Sequence, residues 1–436
     1  MSDVYNVPLK SVLLPPISGS RPVGGVSSDT EGVPSIGGEN ILVSGGMTYD
    51  ELKRIPFSFF ELMPKGRLQR DDVLINKDGA QTGKVGFYEG DFDKAAVNEH
   101  VFILRTRDSR VLEQRYLYYC ILLPEIHNKI ERRITGSAQP GLNSQFVKAV
   151  DIPLQPLSKQ RKIAAILTSI DAAIEKTEAL IEKYQQIKAG LMHDLFTRGI
   201  LPNGQLRPLT DSVETKHGRL PRDWRIGSLL EATDPARQPI LTGPFGADLG
   251  NNDFVDEGVP VLRIGNVQQG HLDLTDLLFV SERKAQSLTR YKVKAGDLLF
   301  ARQGATTGRN ALASDEADGC LINYHIIRVA LDDERCSPLF IEAAFSSEIV
   351  KRQVERDKGR GTREGINTAQ LTGLAFPLAP IDEQRRIAKI LEAHGREQRT
   401  AQLELQKLHR QKLGLMQDLL TGRVPVKVGA GETANG

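Results

Sequence analysis

The sequence predicts an α+β chain of two tandem mixed α/β domains, joined by two long antiparallel coiled-coil helices and related by a pseudo-two-fold internal repeat. Three observations support this fold class. Residues 153–194 return without a gap 224 positions later. In both copies of this segment, apolar residues recur at alternate spacings of three and four. Before each copy, strand-like runs alternate with turns.

The internal repeat is the strongest of these signals. LMHDLFTRGI at 191–200 returns as LMQDLLTGRV at 415–424. Upstream, DVLINKDGAQTGK at 72–84 returns as DLLFARQGATTGR at 297–309. Because chance does not keep one register over roughly 200 residues, the chain has the order A–B–A′–B′, in which each A is a mixed domain and each B a long helix.

The repeat divides the chain into two domains, two helices and a tail. We predict a first domain at 1–150, a central long helix at 151–205, a second domain at 206–375, a C-terminal long helix at 376–425 and a flexible tail at 426–436. Ser158 and Asp382 are predicted helix N-caps, because each is an N-cap residue type at the start of an apolar periodicity.

Both B segments carry a coiled-coil pattern. The predicted helix-interface residues are Ile163, Leu167, Ile170, Ile174, Ile181 and Leu191 in the first copy and Ile387, Leu391, Leu405, Leu408 and Leu415 in the second. Helices of about 35–40 residues are roughly 55 Å long, which exceeds what one small domain covers. We therefore expect them to pack on each other; the alternative is that each packs only on its own domain. Gly190 and Gly414 lie inside helical patterns, where glycine is unfavourable. Each is explained by a close approach of the two helices, by contact with a partner protein or by the end of a helix.

Each A segment combines short strands with one helix. The predicted strands include VLIN at 73–76, HVFILR at 100–105, VPVLRIGNV at 259–267, DLLFAR at 297–302 and LINYHIIRV at 321–329. The predicted helices are RYLYYCILLPEIHNKIERRI at 115–134 and SPLFIEAAFSSEIVKRQVERD at 337–357.

Two loops recur in the A segments as candidate binding loops. The glycine-rich turn KDGAQTGK at 77–84 returns as RQGATTGR at 302–309, and the basic loop at 131–143 returns at 355–367. Lys and Arg suit phosphate, whereas Gln and Arg can contact base edges bidentately, so the composition favours a nucleic-acid contact. The alternatives are a hairpin with a solvated charged rim for the turn and a disordered charged tip for the basic loop.

Known catalytic motifs are missing from the sequence. The nearest string to a P-loop, Gly79 to Lys84, is one residue short, and GxGxxG after a strand, HExxH and the NPP-aromatic stretch are absent. His100 and His325 recur on apolar strands, but no nucleophile or acidic cluster recurs with them, so we interpret them as structural. We predict no catalytic residue, metal site or cofactor in this chain.

The bulk composition indicates a cytoplasmic protein outside any membrane. It is 40% hydrophobic and 26% charged, contains no run of about 18 apolar residues, and lacks the layout of a signal peptide at its start. Its three cysteines form no CxxC pair. The net charge is only +2, but residues 351–363 hold six basic residues against two acidic ones, a local charge of +4.

These motifs together resemble one protein family. The A–B–A′–B′ order, the proline–xxx–QR–I opening of each helix and its LMxDLxTG close resemble the specificity subunit of type I restriction–modification systems. TGPFGADL at 242–249 resembles part of that family's target-recognition domains, and the resemblance covers nearly the whole chain. One departure is ISGSRP at 17–22 where the second copy has LTGPFG at 241–246, so we expect the first entry loop to bind differently.

The resemblance implies a non-catalytic subunit whose two target-recognition domains each recognise one half of a bipartite, asymmetric double-stranded DNA site. It implies that the paired helices set the gap between the half-sites and dock two modification (adenine methyltransferase) subunits. Restriction subunits then join for translocation and cleavage. S-adenosylmethionine, ATP and magnesium are implied for those partner subunits, and none for this chain.

The predicted DNA-contacting residues lie in the candidate loops. They are Lys77, Gln81, Thr82, Lys84 and Gln139 in the first domain and Arg302, Gln303, Thr306, Arg309, Arg360 and Arg363 in the second. The pattern leaves open which of them contact bases and which contact phosphates. Three alternatives are a stand-alone DNA enzyme, a coiled-coil scaffold without a nucleic-acid role, and the specificity partner of a system with methylation and cleavage on one polypeptide.

Overall fold

The computed structural model describes residues 4–23, 25–26, 31–136, 140–359 and 365–428. The chain forms two compact units. Unit 1 comprises Met1–Ala179 and Gln402–Gly436, and unit 2 comprises Leu180–Ala401. Each long helix contributes to both units, because the division falls inside it. Residues 429–436 of the predicted flexible tail lie outside the described residues.

Two long α-helices and eight short ones lie in the described residues. They are α1 (Leu9–Val12), α2 (Phe57–Leu62), α3 (Gln114–Leu122), α4 (Pro124–Glu131), α5 (Leu157–Arg198), α6 (Glu282–Ser287), α7 (Pro338–Ala344), α8 (Glu348–Asp357), α9 (Thr368–Thr372) and α10 (Ile381–Leu415). The two long helices predicted from the repeat are therefore present, with 42 residues in α5 and 35 in α10. A π-helical turn, Met416–Leu420, follows α10.

Each single helix predicted at 115–134 and 337–357 is wrong, because two helices occupy each stretch. Pro124 begins α4 at a position where its missing N–H costs no hydrogen bond, and this ends α3 at Leu122. In unit 2, the hydroxyl of Ser347 accepts a hydrogen bond from the backbone N–H of Val350 and so caps the start of α8.

Short β-strands make up the rest of the regular structure. In unit 1 they are β1 (Tyr5–Pro8), β2 (Ile17–Ser18), β3 (Val33–Ile36), β4 (Arg54–Ile55), β5 (Asp72–Asn76), β6 (Val85–Tyr88), β7 (Ala96–Val97), β8 (Val101–Leu104), β9 (Ile134–Thr135), β10 (Gly141–Leu142) and β11 (Asp151–Leu154). In unit 2 they are β12 (Ser212–Thr215), β13 (Gly218–Pro221), β14 (Arg225–Ser228), β15 (Ile240–Thr242), β16 (Phe254–Val255), β17 (Val259–Leu262), β18 (Val267–Gln268), β19 (His271–Leu272), β20 (Leu278–Val280), β21 (Leu298–Ala301), β22 (Asn310–Leu312), β23 (Leu321–Ile322), β24 (Ile326–Val329) and β25 (Ala375–Leu378).

Sheet topology confirms the internal repeat. An antiparallel sheet has the strand order β2–β8–β5–β6 in unit 1 and the matching order β15–β24–β21–β22 in unit 2. Its register is also kept, since Ile75 pairs with Phe102 where Phe300 pairs with Ile327. A parallel pair recurs as well, β3 with β7 and β17 with β23. The predicted strand at 321–329 is split into β23 and β24 by a turn that lies at the candidate site.

The ends of the two long helices belong to the cores of the units. In unit 1, Ile163 and Leu167 of α5 are buried in one hydrophobic cluster with Leu419 and Leu420. Gln155 reinforces this contact by donating from Nε2 to the carbonyl of Leu419 at 2.7 Å. In unit 2, the corresponding cluster combines Leu195 and Phe196 of α5 with Ile387 and Leu391 of α10.

Within each unit the two helix segments are antiparallel. In unit 1, Asp171 binds Lys412 (Oδ1 to Nζ 2.7 Å), while the earlier residue Gln155 binds the later residue Leu419. In unit 2, the ring of Tyr184 lies 5.6 Å from that of His394, while the backbone N–H of Ile200 donates to Glu383. Of the predicted interface residues, Ile163, Leu167, Ile174, Ile387, Leu391 and Leu408 are buried and Ile170, Ile181, Leu191, Leu405 and Leu415 are half-buried.

A buried glutamine ties the start of each long helix to its domain. Gln160 Oε1 accepts from the backbone N–H of Glu113 at 2.8 Å, and Gln384 Oε1 accepts from that of Ser337 at 3.0 Å. These are equivalent positions in the repeat, so the contact accounts for the Gln in both QR motifs. The predicted N-caps Ser158 and Asp382 are wrong, because α5 begins at Leu157 and α10 at Ile381, and both residues lie inside the first turn.

Candidate nucleic-acid interface

The glycine-rich turns connect equivalent strands in the two units. Residues 77–84 join β5 to β6, and residues 302–309 join β21 to β22. Gly79 (φ 80°) and Gly304 (φ 72°) adopt left-handed backbone conformations that favour glycine. A Cβ at either would meet no atom of the described residues within 4 Å, so each glycine is required by the conformation and the space beside it is open.

The two candidate loops of each domain meet at one surface. The backbone N–H of Leu142 donates to Lys77 O at 2.6 Å, and in unit 2 that of Ile366 donates to Arg302 O at 2.8 Å. An isolated antiparallel β-bridge also pairs Gly141 with Asp78, and an equivalent bridge pairs Gly365 with Gln303. The basic loops are therefore held against the glycine-rich turns in the same way twice. The predicted residues Gln139, Arg360 and Arg363 lie outside the described residues.

In unit 1, the predicted residues are held in different ways. Lys77 Nζ lies 3.8 Å from Asp78 Oδ2 and 5.4 Å from the centroid of the Phe102 ring. Thr82 closes the turn by donating from its hydroxyl to Gly79 O at 2.6 Å. Lys84 donates from Nζ to Ile41 O at 3.2 Å, whereas the side chain of Gln81 is exposed.

In unit 2, the basic side chains are partly engaged by the protein. Arg302 donates from Nε to Ile366 O at 3.1 Å and from Nη1 to Tyr324 O at 3.2 Å, and burial lowers its pKa. Thr306 donates from its hydroxyl to the carbonyl of Gln303 at 3.5 Å. Arg309 is exposed and donates from Nη1 to Gln268 Oε1 at 2.8 Å. Arg302 is thus positioned by the basic loop and by the turn between β23 and β24.

The two histidines interpreted as structural lie on this same surface. His100 is the last residue of the turn between β7 and β8. His325 is the last residue of the equivalent turn between β23 and β24. Nδ1 of His100 contacts a carboxylate oxygen of Asp78, and Nδ1 of His325 lies 2.6 Å from Gln303 Oε1. The signal that could have found these pairs is the repeat itself, since the two positions of the pair in unit 1 recur in unit 2 at an offset of 225.

The hydrogen bond of His325 determines what its ring offers to a ligand. Burial, followed by the charge of Arg302, lowers the pKa of His325 below its ordinary value of 6.5, so the ring is neutral at pH 7. With Gln303 Oε1 as the acceptor, the proton is assigned to Nδ1, and Nε2 then presents a lone pair. An acceptor of this kind suits the amino group of adenine or cytosine.

The described part of the chain contains no group of three or more His, Cys, Asp and Glu side chains placed to hold a metal ion. Its cysteines, Cys120, Cys320 and Cys336, are free and buried. Among the described helices, none combines the length and the hydrophobicity of a membrane-spanning segment.

Comparison with known proteins gives a consistent result for both repeats. A family model described as "Type I restriction modification DNA specificity domain" matches residues 37–186 and 247–407. The chain is 23% identical over 363 residues to the type I restriction enzyme MjaVIII specificity subunit of Methanocaldococcus jannaschii, covering 83% of this chain and 80% of that protein. It is 22% identical over 369 residues to the type I restriction enzyme EcoBI specificity subunit of Escherichia coli, covering 83% and 73%.

Solved structures show the same fold. The chain matches the crystal structure of a type I restriction–modification S subunit from M. genitalium with a TM-score of 0.62 and 14% identity, over 96% of each chain. It matches a second chain, from a study of complex assembly and conformational transition of the type I R-M system, with a TM-score of 0.55 and 16% identity. That match covers 97% of this chain and 99% of the other.

Proposed function

The chain belongs to the family of type I restriction–modification DNA specificity subunits, and on that premise we propose that each of its two units recognises one half of a bipartite double-stranded DNA site. It is a specificity subunit with two recognition domains. The recognition surface in each unit is formed by the glycine-rich turn, the basic loop bound to it and the histidine turn, which is the turn that ends at His100 in unit 1 and at His325 in unit 2.

One observation carries this proposal: the two units share a loop framework but differ in side chains at its surface. Leu142 and Ile366 hold their turns by the same backbone hydrogen bond, so the two surfaces can approach DNA in the same orientation. At equivalent positions, however, Asp78 of unit 1 is replaced by Gln303 in unit 2, and Gln81 by Thr306. Different donors and acceptors recognise different base edges, so we expect unlike half-sites and an asymmetric target.

In this proposal the long helices have two roles. Their length sets the unread gap between the half-sites, and their exposed faces dock two modification subunits at equivalent positions of the repeat. Gly190 and Gly414 support the docking role, because a Cβ at either position would meet no atom of the described residues within 4 Å. Close approach inside the chain therefore does not account for these glycines, which leaves room for a partner helix.

Methylation and cleavage belong to the partner subunits in this proposal. The modification subunits would use S-adenosylmethionine to methylate adenine, and the restriction subunits would use ATP and magnesium for translocation and cleavage. Relatives named as specificity subunits support this division, as does the lack of catalytic motifs in the sequence. We assign this chain DNA recognition and assembly only.

Single-molecule methylome sequencing tests the proposal directly. A host carrying the modification subunits is compared with and without this chain. We expect the chain to add one methylated motif with two unlike specific halves and an unspecified gap. An unchanged methylome contradicts the proposal, and a palindromic motif contradicts the assignment of different half-sites to the two units.

A further inference from the structure

The first and second units carry different chemistry at one equivalent position beside the histidine turn. Ser18 pairs with Phe102 in unit 1 where Thr242 pairs with Ile327 in unit 2, so the segments that follow leave the sheet at the same point. Three residues further on, Arg21 occupies the position that Phe245 occupies in unit 2. The entry loops therefore occupy equivalent positions in the repeat but differ in their side chains.

Close backbone packing brings both entry loops to the histidine turns. A Cβ added at Gly19 would lie 2.9 Å from the carbonyl oxygen of Asn98. A Cβ added at Gly243 would lie 2.2 Å from that of Asn323. Real Cβ atoms do not tolerate such distances to backbone, so both loops require glycine here. The packing of Gly19 on Asn98 and of Gly243 on Asn323 therefore places residues 21 and 245 close to the histidine turn of their unit.

In unit 1 the result is a chain of polar and charged groups. Arg21 Nη1 lies 3.7 Å from Glu99 Oε1, and the same carboxylate oxygen lies 3.4 Å from His100 Nε2. His100 in turn contacts Asp78 of the glycine-rich turn through Nδ1. Every side chain in this chain of contacts is polar, so it offers DNA hydrogen bonds and charge.

In unit 2 the equivalent side chains form an aromatic cluster. The ring of Phe245 lies 5.7 Å from that of Tyr324, and the ring of Tyr324 lies 3.7 Å from that of His325. His325 is bound to Gln303 of the glycine-rich turn. Phe245 and Tyr324 replace Arg21 and Glu99 of unit 1, so an apolar surface stands where unit 1 carries an ion pair.

The aromatic cluster is open to a ligand. Phe245 is 57% exposed and Tyr324 is 38% exposed, although both are large and carry apolar rings. A groove of about 600 Å³ opens beside Tyr324 and His325, and its lining combines apolar side chains such as Phe254 with charged ones such as Arg263 and Asp276. Exposed apolar side chains grouped at a binding surface indicate an apolar counterpart on the ligand.

We propose that Phe245 and Tyr324 are specificity-determining residues that contact the 5-methyl group of a thymine in the half-site recognised by unit 2. This inference rests on the proposed function. Among the base edges in the major groove, the thymine methyl is the apolar group. The Tyr324 ring packs on His325, and the Arg302 guanidinium lies 5.9 Å from the centroid of the Phe245 ring. Because these neighbours lie against the two rings, the ring edges of Phe245 and Tyr324 are what remains for a ligand. A contact with a methyl group is therefore favoured over stacking of an unpaired base on a ring face.

The test uses duplexes in which deoxyuridine replaces each thymine of the methylated site in turn. Deoxyuridine keeps every hydrogen-bonding group of thymine and lacks only the methyl. Binding is measured with the assembled complex of this chain and its modification subunits. We expect one position, in a single half-site, at which the replacement weakens binding about fourfold, as loss of one buried methyl predicts.

Variants then link that methyl to the aromatic cluster. For Phe245→Ala and Tyr324→Ala we expect binding of the thymine duplex to weaken, with little further loss on the deoxyuridine duplex. Phe245→Leu keeps an apolar side chain and should retain the methyl effect. Arg21→Ala, the matched variant in unit 1, should retain it in full. Thermal unfolding of each variant confirms that the exposed positions have been changed without loss of the fold.

The outcomes separate this inference from the proposed function. A methylome that does not respond to the chain overturns the proposed function, and the duplexes then have no defined site. A defined site that is insensitive to deoxyuridine at every thymine, or whose half-site for unit 2 contains no thymine, overturns only the methyl contact. Equal methyl effects in the native chain and in the Phe245→Ala and Tyr324→Ala variants also overturn it.

Discussion

Gln303 and His325 share a 2.6 Å hydrogen bond at the positions where Asp78 and His100 are in contact in the first unit. The same imidazole is therefore held by a neutral amide in one domain and by a carboxylate in the other. Since the amide of Gln303 has a donor group left over, it can both fix the ring and contact a base.

We expect Gln303→Ala to relax discrimination at one base pair by about 1–3 kcal/mol, the range expected when a specific base contact is lost. Gln81→Ala should do the same in the other half-site if the exposed amide of Gln81 contacts a base. Methylome sequencing of hosts carrying each variant measures the change. Gln303→Glu is the control, since it keeps an oxygen for His325 and removes the amide donor. An unchanged motif rejects the assignment of a base contact.

A different response is expected from Lys84 and Arg309, whose charges suit phosphate. Replacing either with Ala should weaken binding to all sequences and reduce the salt dependence by about one released counterion. Binding titrations over a range of salt concentrations measure both effects. Lys94→Ala serves as the control because its ammonium is paired with Glu61 at 2.8 Å. A loss confined to one DNA sequence argues against a phosphate contact.

Substitution of Gly190 and Gly414 separates helix stability from partner docking. Ala at either position should stabilise the chain by about 0.5–1 kcal/mol, since glycine in a helix interior is unfavourable and the space is open. Leu should also fold but should abolish association with a modification subunit if its helix docks there. Thermal unfolding and size-exclusion chromatography of the mixture measure the two effects. A Leu variant that still assembles fully places the docking surface elsewhere.

Lengthening the helices should lengthen the unread gap in the DNA target. Four residues inserted between Ala179 and Leu180, with four more between Ala401 and Gln402, add about 6 Å, or nearly two base pairs. Methylome sequencing reports the gap directly. Four residues inserted after Lys427, beyond the helices, should leave it unchanged. A constant gap in the lengthened chain would show that the helices do not set the spacing.

Glu342 makes the stability of unit 2 depend on pH. Burial raises its pKa from 4.5 to about 7, although Lys188 and Arg399 act in the opposite direction. Because the folded state binds this proton more tightly, its contribution is fully present below pH 4.5 and is lost as pH rises to about 7. Glu342→Gln should therefore raise stability at pH 8 by on the order of 2–3 kcal/mol and flatten the profile.

Unfolding transitions of unit 2 at pH 5 and pH 8 measure this effect. Glu348→Gln is the matched control, since Glu348 is an exposed carboxylate that binds Arg352 at 3.0 Å. The prediction fails if the native chain and the Glu342→Gln variant lose stability equally between these pH values.

The repeat and the long helices were predictable because their signals are local or periodic. Ile163 and Leu167 follow a helical spacing, and their burial is confirmed. That spacing does not reveal that Leu419 covers them, because a contact across some 250 residues leaves no mark in the local pattern. The hydrogen bond from Leu142 to Lys77 was missed for the same reason, although both loops were identified as candidates.

His100 shows which contacts a local sequence pattern leaves out. His100 recurs on an apolar strand pattern, which is typical of a structural role, yet half of its side chain is exposed. Its partner Asp78 lies in another turn, and only the folded sheet brings the two together. Pro124, in contrast, is a local signal for a helix break. The prediction of one continuous helix at 115–134 did not take it into account.

The contact between Gln155 and Leu419 has a consequence for biosynthesis. Unit 2 is contiguous and is complete once Ala401 has left the ribosome, whereas unit 1 must wait for Met416, Leu419 and Leu420 to cover its core. The domain translated first is thus finished last. A nascent chain that stalls in α10 therefore leaves apolar surface uncovered at its beginning, where chaperones would have to shield it.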